Sequence, residues 1–281
     1  MTLCEREVAC ALCSEVERCE MDQESHAIWM LDRRLNEIDR RVLVLSNKGG
    51  VGKSTVTVNL AVTLAMGGIR IGVLDADLSG PSLPLFFGVE GARLRSGGRG
   101  LTPVEVQGLK LVSTGFFLAQ EDDPVMWRDS YKYEFLTHLV SDVEWGHLDW
   151  LLVDMPPGTG GELIGLRDIL SRVDGAIVVT TPQNASLMDA RKAIAACREA
   201  EIPVLGVVEN MSGGPFGGGG GELVAMAMQV PFLGRIPLDP RLTALSDAGK
   251  PPVVAEPDTP GSRALTNLAH RLAAAMPLTT R

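Results

Sequence analysis

The chain has 281 residues, of which 45% are hydrophobic, so it holds enough apolar material for one large domain or two small ones. Its formal net charge of −9 argues against a general nucleic-acid-binding surface, because phosphate backbones are bound by clustered Lys and Arg. No apolar run reaches the roughly 18 residues that span a bilayer, and residues 1–20 carry acids and cysteines in place of a signal-peptide core, which predicts a cytoplasmic protein without membrane partners.

The first 38 residues are charged and rich in cysteine, and we predict that residues 1–38 form an extension of a larger domain at residues 39–281. Four of the five cysteines lie here with the spacing C-x5-C-x2-C-x5-C, namely Cys4, Cys10, Cys13 and Cys19. Disulfides are not expected in a reducing compartment, whereas thiolates at such short separations suit an iron–sulfur cluster or Zn²⁺. Unligated thiols in a frayed terminus are the remaining alternative.

Compact apolar runs alternate with helical patterns along the rest of the chain. A helix-like stretch at 27–40 precedes the first run at 41–46, and a helical stretch at 54–66 follows it and ends at two glycines. Further runs lie at 69–75, 150–154, 175–180, 204–208 and 232–236. This alternation predicts an α/β fold, with a mostly parallel sheet covered by helices on both faces and ligands bound beyond the carboxyl ends of the strands.

The turn after the first run has the composition of a phosphate-binding loop. It consists of Lys48, Gly49, Gly50, Val51, Gly52, Lys53, Ser54 and Thr55. Between a strand and a helix, such glycines let backbone amides turn toward phosphates, and the helix N-terminus adds partial positive charge. Lys53 is expected to reach the β- and γ-phosphates of ATP, and the Ser54 hydroxyl to bind Mg²⁺. A glycine-rich turn that binds nothing is the alternative.

Candidate site residues lie at or just after the ends of four of the later runs. Asp75 ends the second run and Asp77 lies two positions further on, while Asp154 ends the run at 150–154. A solvated acidic turn is the alternative interpretation of the first pair. Asn210 and Pro237 follow the last two runs, where an ordinary turn residue and a proline-fixed loop explain them almost as well.

Other candidate ligands are isolated in the sequence. Cys197 lies in an amphipathic stretch at 190–200 and is predicted to be a buried small hydrophobe. No metal chemistry is expected from the histidines, which show no ligand spacing: His26, His138, His147 and His270.

The phosphate loop departs from the ordinary pattern, because Asn47 lies where glycine is usual and Lys48 follows it. This deviant form resembles the MinD, ParA and Mrp/NBP35 superfamily of P-loop NTPases. The motifs at 48–55, 75–82, 124–128, 154–160, 181–183, 209–212 and 232–240 together resemble the Mrp/NBP35 (ApbC-like) branch. The resemblance implies an ATPase that carries or assembles iron–sulfur clusters as a nucleotide-switched homodimer or heterodimer.

The resemblance also implies roles for single residues. Lys48 would reach the nucleotide of the opposite subunit. Asp77 would lie near the attacking water, and Asp75 would have a supporting role close to Mg²⁺. Asp154 would hold Mg²⁺ through water, and the amide of Gly158 would meet the γ-phosphate.

Two further residues would contact the adenine base of the nucleotide. Asn210 would recognise adenine through its side-chain amide, and Pro237 belongs to the segment that would wrap the adenine ring.

The sequence departs from the family pattern at three places, two of which concern the metal. A Cys-x-x-Cys pair that bridges subunits follows the Glu-Asn-Met-Ser segment in the family, but here residues 213–221 are glycine-rich without cysteine, and 127–130 also differ from the usual Gly-Pro continuation. Cys10, Cys13 and Cys19 match the C-x2-C-x5-C of longer members that hold a [4Fe–4S] cluster, although Cys4 lies nearer Cys10 than the family pattern has it. A regulatory or positioning ATPase that recruits a protein partner is the competing function.

Overall fold

The computed structural model describes residues 8–20, 22–117, 129–158 and 160–277. Cys4, the motif at 124–128 and Thr159 lie outside the described residues, as do the side chains of Asp129 and Ser130. Within the described ranges, no helix is long and apolar enough to cross a membrane.

One large sheet organises the molecule. The strands are β1 (Ile38–Leu45), β2 (Ile71–Asp75), β3 (Arg95–Ser96), β4 (Leu101–Thr102), β5 (Val104–Val106), β6 (Leu109–Ser113), β7 (Leu148–Asp154), β8 (Gly175–Thr180), β9 (Val204–Ser212) and β10 (Phe232–Pro237). Eight of them pair in the order β10-β9-β8-β1-β7-β2-β6-β5, while β3 and β4 form a separate hairpin. All neighbours in the large sheet are parallel except β5 and β6, which confirms the predicted mostly parallel sheet.

Helices cover both faces of the sheet. They are α1 (Gln23–Asn36), α2 (Lys53–Met66), α3 (Leu83–Phe86), α4 (Asp129–Ser141), α5 (Gly161–Leu170), α6 (Asn184–Glu199), α7 (Gly220–Ala227), α8 (Pro240–Asp247), α9 (Pro252–Ala255) and α10 (Pro260–Ala275). Two apolar cores result, because alternate strand residues face opposite sides: Leu43 belongs to the core that α4 to α7 cover, and Val42 to the core that α2 and α10 cover. Helices on both faces confirm the predicted layers.

The first helix lies earlier than the sequence pattern predicted. It begins after Asp22, whose carboxylate accepts a hydrogen bond from the amide of Glu24, and it ends before Ile38, where β1 starts. The predicted helix at 27–40 was therefore wrong at its C-terminal end, because Ile38 and Arg40 pair in register with Leu148 and Trp150 of the buried strand β7. The division into an extension at 1–38 and a domain at 39–281 stays a prediction.

The strand register brings three carboxyl ends to one edge of the sheet. Val44 of β1 pairs with Asp154 of β7, and Asp75 of β2 pairs with the same Asp154. The chain leaves β1 through the glycine-rich turn and enters α2 at Lys53. This edge is where parallel sheets bind ligands, and it carries the predicted phosphate loop.

Cys197 lies on the buried side of α6 and has no exposed surface. Burial raises the pKa of its thiol to about 11. A thiol of this kind is an inert apolar group, so the prediction of a buried small hydrophobe is confirmed.

Candidate functional site

The phosphate loop forms one wall of an open pocket at the carboxyl edge of the sheet. Every residue from Lys48 to Thr55 lines it, together with Ser46, Asp77, Phe86 and Pro157. Gly50 and Gly52 have positive φ angles of 77° and 83°, which L side chains rarely adopt. A Cβ on Gly52 would also lie 2.2 Å from Asn210 Nδ2, so glycine is required there by space as well as by conformation.

Lys53 and Ser54 both contact the carboxylate of Asp154. Lys53 is 7% exposed, and its Nζ lies 2.6 Å from Asp154 Oδ2. The Ser54 hydroxyl donates to the same oxygen at 2.7 Å. A serine hydroxyl next to a carboxylate is the oxygen donor set that Mg²⁺ takes beside nucleotide phosphates, so these residues fit the predicted metal.

Thr57 holds the other oxygen of Asp154 and was missed by the sequence analysis. It is fully buried on α2, and its hydroxyl lies 2.5 Å from Asp154 Oδ1 and 3.1 Å from the carbonyl oxygen of Lys53. Residues four apart share a helix face, so Thr57 lies on the same side of α2 as Lys53. A threonine amid the apolar residues of that face was the signal that could have identified it.

Asp75 is buried beneath the pocket and does not belong to its described lining. Its carboxylate accepts hydrogen bonds from Ser113 Oγ at 2.9 Å and from the amides of Leu83 and Asp77 at 3.3 Å. Burial, followed by the like charge of Asp154, raises the pKa of Asp75 to about 7. Asp75 therefore anchors the turn between β2 and α3 from below.

Asp77 lies beyond the end of β2 and does line the pocket. It is half-buried, and its Oδ1 accepts from the amide of Gly80 at 3.2 Å. Partial burial raises its pKa above the ordinary value, although Lys53 opposes this shift. The two acids thus occupy different environments, with Asp77 beside the phosphate loop and Asp75 below it.

The turn after β7 contacts the start of the phosphate loop. The amide of Gly158 donates to the carbonyl oxygen of Ser46 at 3.0 Å, and Gly158 has a φ of 126°. Pro157 lines the pocket beside it. This segment is the predicted second switch, and its role in meeting a γ-phosphate stays a prediction.

Asn210 contacts the phosphate loop through its side-chain amide. It is 6% exposed, and its Nδ2 donates to the carbonyl oxygen of Val51 at 2.9 Å. Pro237 closes β10 and pairs in register with Ser212 at the end of β9. Neither residue belongs to the described lining of the phosphate pocket, and their contacts with a base stay predictions.

Lys48 is exposed at the rim of the pocket, unlike the buried Lys53. Among the described residues its ammonium group has no ion-pair partner. The neighbouring Asn47 is fixed by a hydrogen bond of 3.0 Å from its Nδ2 to Asp189 Oδ1 on α6. The loop therefore carries one lysine turned into the protein and one that is accessible from outside.

The described N-terminal cysteines line one small pocket. Cys10 begins the first of two short 3₁₀ turns, Cys13 and Cys19 directly follow the first and the second turn, and all three are half-buried. His26 of α1 lines the same pocket, and its Nδ1 lies 2.9 Å from Cys10 Sγ. Thiolate sulfur and imidazole nitrogen suit an iron–sulfur cluster or Zn²⁺, so the donor set fits the predicted metal centre. His26 lies near the cysteines because α1 begins at Gln23, shortly after Cys19.

The glycine-rich segment at 213–221 folds around a buried carboxylate. Glu209 accepts hydrogen bonds from the amides of Gly219 at 2.9 Å and Gly221 at 2.6 Å, and from Ser212 Oγ at 2.7 Å. Burial alone would raise the pKa of Glu209, but these donors and Arg235 outweigh it and hold the pKa below its ordinary value. The segment is a specific loop and not a flexible linker.

Comparisons with known proteins agree with this geometry. An iron–sulfur cluster carrier protein of Methanococcus maripaludis is 42% identical over 252 residues, covering 86% of each chain. The cytosolic Fe–S cluster assembly factor NUBP2 homolog of Culex quinquefasciatus is 43% identical over 85% of this chain and 99% of its own.

Solved structures show the same fold. A nucleotide-binding protein from Archaeoglobus fulgidus in complex with ADP is 36% identical, with a TM-score of 0.69 over 79% of this chain and 91% of its own. The septum site-determining protein MinD of Pyrococcus horikoshii, complexed with Mg-ADP, is 26% identical, with a TM-score of 0.67 over 85% of this chain and 97% of its own. The resemblance drawn from the loop and switch motifs is confirmed by a family model that matches residues 37–273. The chain belongs to the ParA group of P-loop NTPases described as NUBPL iron-transfer P-loop NTPases.

Proposed function

We propose that this protein is an ATP-binding and ATP-hydrolysing carrier or assembly factor for iron–sulfur clusters, which acts in the cytoplasm as a nucleotide-switched dimer. The observation that carries the proposal is the convergence of Lys53, Ser54 and Asp154 within 2.7 Å beside the phosphate loop. The names of its relatives, an iron–sulfur cluster carrier and a cytosolic assembly factor, support the cargo.

The phosphate loop binds the nucleotide through its amides and Lys53. Lys53 exchanges its contact with Asp154 for the β- and γ-phosphates, and the Ser54 hydroxyl and the Asp154 carboxylate are the groups that would hold Mg²⁺. Magnesium neutralises charge on the phosphates when it is bound. Thr57 keeps the Asp154 carboxylate in one orientation, since its hydroxyl contacts Oδ1 at 2.5 Å.

Hydrolysis requires a water molecule, an acid beside it and a second subunit. Asp77 orients the water that attacks the γ-phosphorus, the bond to the bridging oxygen of ADP breaks, and phosphate leaves. Lys48 neutralises charge at the nucleotide of the opposite subunit. Gly158 gives up its hydrogen bond to Ser46 when its amide meets the γ-phosphate, and this exchange gives the loop two states.

The iron–sulfur centre belongs to the N-terminal pocket. Cys10, Cys13 and Cys19 line that pocket, whereas Cys197 is buried in α6 and the loop at 213–221 has no cysteine. A lone buried thiol offers no chelate, so the three N-terminal thiols are the ligands that support a cluster. The spacing of the cysteines in the sequence predicts Cys4 as the fourth ligand.

A regulatory or positioning ATPase is the second candidate, and the loop at 213–221 favours it. This loop has glycines where the family has a cysteine pair, and Glu209 gives it a defined shape that a protein partner could contact. In that case nucleotide state would control partner recruitment, and no cluster would be carried.

Anaerobic purification of the full chain separates the two candidates. We expect brown protein with bound iron and sulfide, and loss of both after removal of residues 1–20, with ATP binding retained because the phosphate loop is a separate site. Cys197→Ala is the matched control and keeps the iron. Colourless protein, or zinc in place of iron, would reject the carrier function in favour of the regulatory ATPase.

A further inference from the structure

His26 is placed against the cysteine pocket by the first turn of α1. The side chain is 6% exposed, it lines the same pocket as Cys10, Cys13 and Cys19, and its Nδ1 lies 2.9 Å from Cys10 Sγ. No chemistry was expected of this histidine from the sequence, because the four histidines show no ligand spacing.

Neither ring nitrogen of His26 has an ordinary hydrogen-bond partner in the described part of the chain. Nε2 is buried without any partner, and Nδ1 faces a sulfur atom, which hydrogen-bonds weakly. Buried polar atoms are normally paired, so an imidazole beside three thiols that has no partner at Nε2 in the described residues and only a weak sulfur partner at Nδ1 requires an explanation. A soft metal centre supplies one, because neutral imidazole and thiolate are ligands of the same ions.

The ring is also held in one place. It stacks on Trp29 with ring centroids 5.6 Å apart and planes 20° apart. The turn that carries it is capped by Asp22, whose carboxylate accepts from the Glu24 amide at 3.1 Å and the Ser25 hydroxyl at 2.7 Å. A ligand fixed by packing and by a capped helix loses little entropy on binding, which is the arrangement that metal sites use.

We propose that His26 is the fourth ligand of this centre, so that Cys10, Cys13, Cys19 and His26 hold the cluster with three thiolates and one imidazole. This inference rests on the proposed iron–sulfur function and replaces Cys4 as the fourth ligand. A neutral imidazole in place of a thiolate removes one negative charge from the centre. Exchange of thiolate for histidine raises the reduction potential of iron–sulfur centres, so the His26-ligated cluster is easier to reduce than an all-cysteine one.

The test uses the full chain reconstituted anaerobically with iron and sulfide. Cys4→Ala is expected to keep the wild-type iron content and visible absorbance, whereas His26→Ala loses most of both. His26→Cys restores the cluster with a lower reduction potential. His270→Ala, which changes an exposed histidine of α10, is the matched control and alters nothing.

A spectroscopic measurement on the wild-type cluster does not require any variant to fold. Pulsed EPR of the reduced wild-type cluster is expected to show the coupling of a directly bound histidine nitrogen, and this coupling disappears in His26→Cys. A wild-type cluster without nitrogen coupling overturns the proposal, as does Cys4→Ala protein that loses iron while His26→Ala keeps it.

The same variants separate this inference from the proposed function. Stoichiometric zinc in wild-type protein, lost in His26→Ala and retained in Cys4→Ala, would reject the carrier function while keeping His26 as a ligand. Wild-type protein that binds neither iron nor zinc would overturn both.

Discussion

Asp75 makes the stability of the nucleotide-free protein depend on pH. Its pKa is raised from 3.8 to about 7, first by burial and then by Asp154. Between these values the unfolded chain has lost the proton and the folded chain still holds it, so the free energy of unfolding falls as pH rises from about 4 to 7. One pKa unit corresponds to about 1.4 kcal/mol, which sets the upper limit of the effect at a few kcal/mol.

Asp75→Asn is therefore expected to gain stability relative to wild type as pH rises through that window. Urea unfolding at several pH values, without Mg²⁺ or nucleotide, measures the difference. Asp258→Asn changes an exposed carboxylate and serves as the control. A stability difference that stays constant with pH would show that Asp75 ionises normally in the folded protein.

Lys53→Ala is expected to lose tight ATP binding. The ammonium group contributes charged hydrogen bonds to phosphates, each worth roughly 1.5–3 kcal/mol, so affinity falls by at least about tenfold. The substitution also leaves the buried Asp154 without its cation, and stability should fall as well. Titration with a fluorescent ATP analogue measures the affinity, and Lys250→Ala on the surface is the control. Unchanged affinity would remove Lys53 from the phosphate site.

The strand–loop–helix order at β1 and α2 could be predicted because it is local. Apolar runs, two glycines with positive φ and a lysine at the helix start all lie within one stretch of chain. The alignment of Asp75 with Asp154 could not be read from spacing, since it depends on the register of β2 and β7 across 79 residues of separation. The partners of Thr57, Asn210 and His26 were missed because they too depend on tertiary contacts that sequence spacing does not show.

Short strands and helix ends were also beyond the sequence pattern. β5 has only three residues, which is too short for a period-2 pattern to separate it from a loop. The end of α1 was misplaced because Arg40 suits a helix locally, whereas pairing with β7 decides its conformation. Tertiary context outweighs local propensity at both places.

The loop at 213–221 depends on the charge of Glu209. Glu209→Gln keeps the size of the side chain but replaces one acceptor oxygen with an NH₂ group, which cannot accept from the amide of Gly219 or Gly221. We expect faster hydrogen exchange across the loop and a loss of roughly 1–3 kcal/mol in stability. Hydrogen-exchange mass spectrometry and urea unfolding measure the two effects.

Glu222→Gln is the matched control for this loop, because Glu222 is exposed and also contacts Arg235. The control should leave exchange at 213–221 unchanged. Acid should reproduce the loss of stability in the wild-type protein, because the pKa of Glu209 is lowered in the folded state. The contribution of Glu209 to the free energy of unfolding is therefore present above pH 4.5 and is lost as the pH falls through the pKa of the folded state. Equal exchange in both variants would mean that glycine packing alone shapes the loop.

Assembly of two copies decides whether the site can hydrolyse ATP. Lys53 is buried within its own site, but Lys48 is exposed at the rim. A cation supplied from a second subunit can accelerate phosphoryl transfer by about 10³- to 10⁵-fold, as arginine fingers do. Hydrolysis by wild-type protein is therefore expected to be slow when dilute, and its rate per subunit should rise with protein concentration.

Lys48→Ala is expected to bind ATP and to lose hydrolysis, because the substitution removes only the charge that acts across the interface. Mixing it with Lys53→Ala tests this directly. In the mixed dimer, the Lys48→Ala subunit binds ATP and the Lys53→Ala subunit supplies the missing Lys48, so one working site per dimer forms and activity returns. Either variant alone stays inactive at the same total concentration. If native mass spectrometry detects the mixed dimer and no activity returns, Lys48 acts within its own subunit; if Lys48→Ala alone hydrolyses ATP at the wild-type rate, it has no part in the reaction.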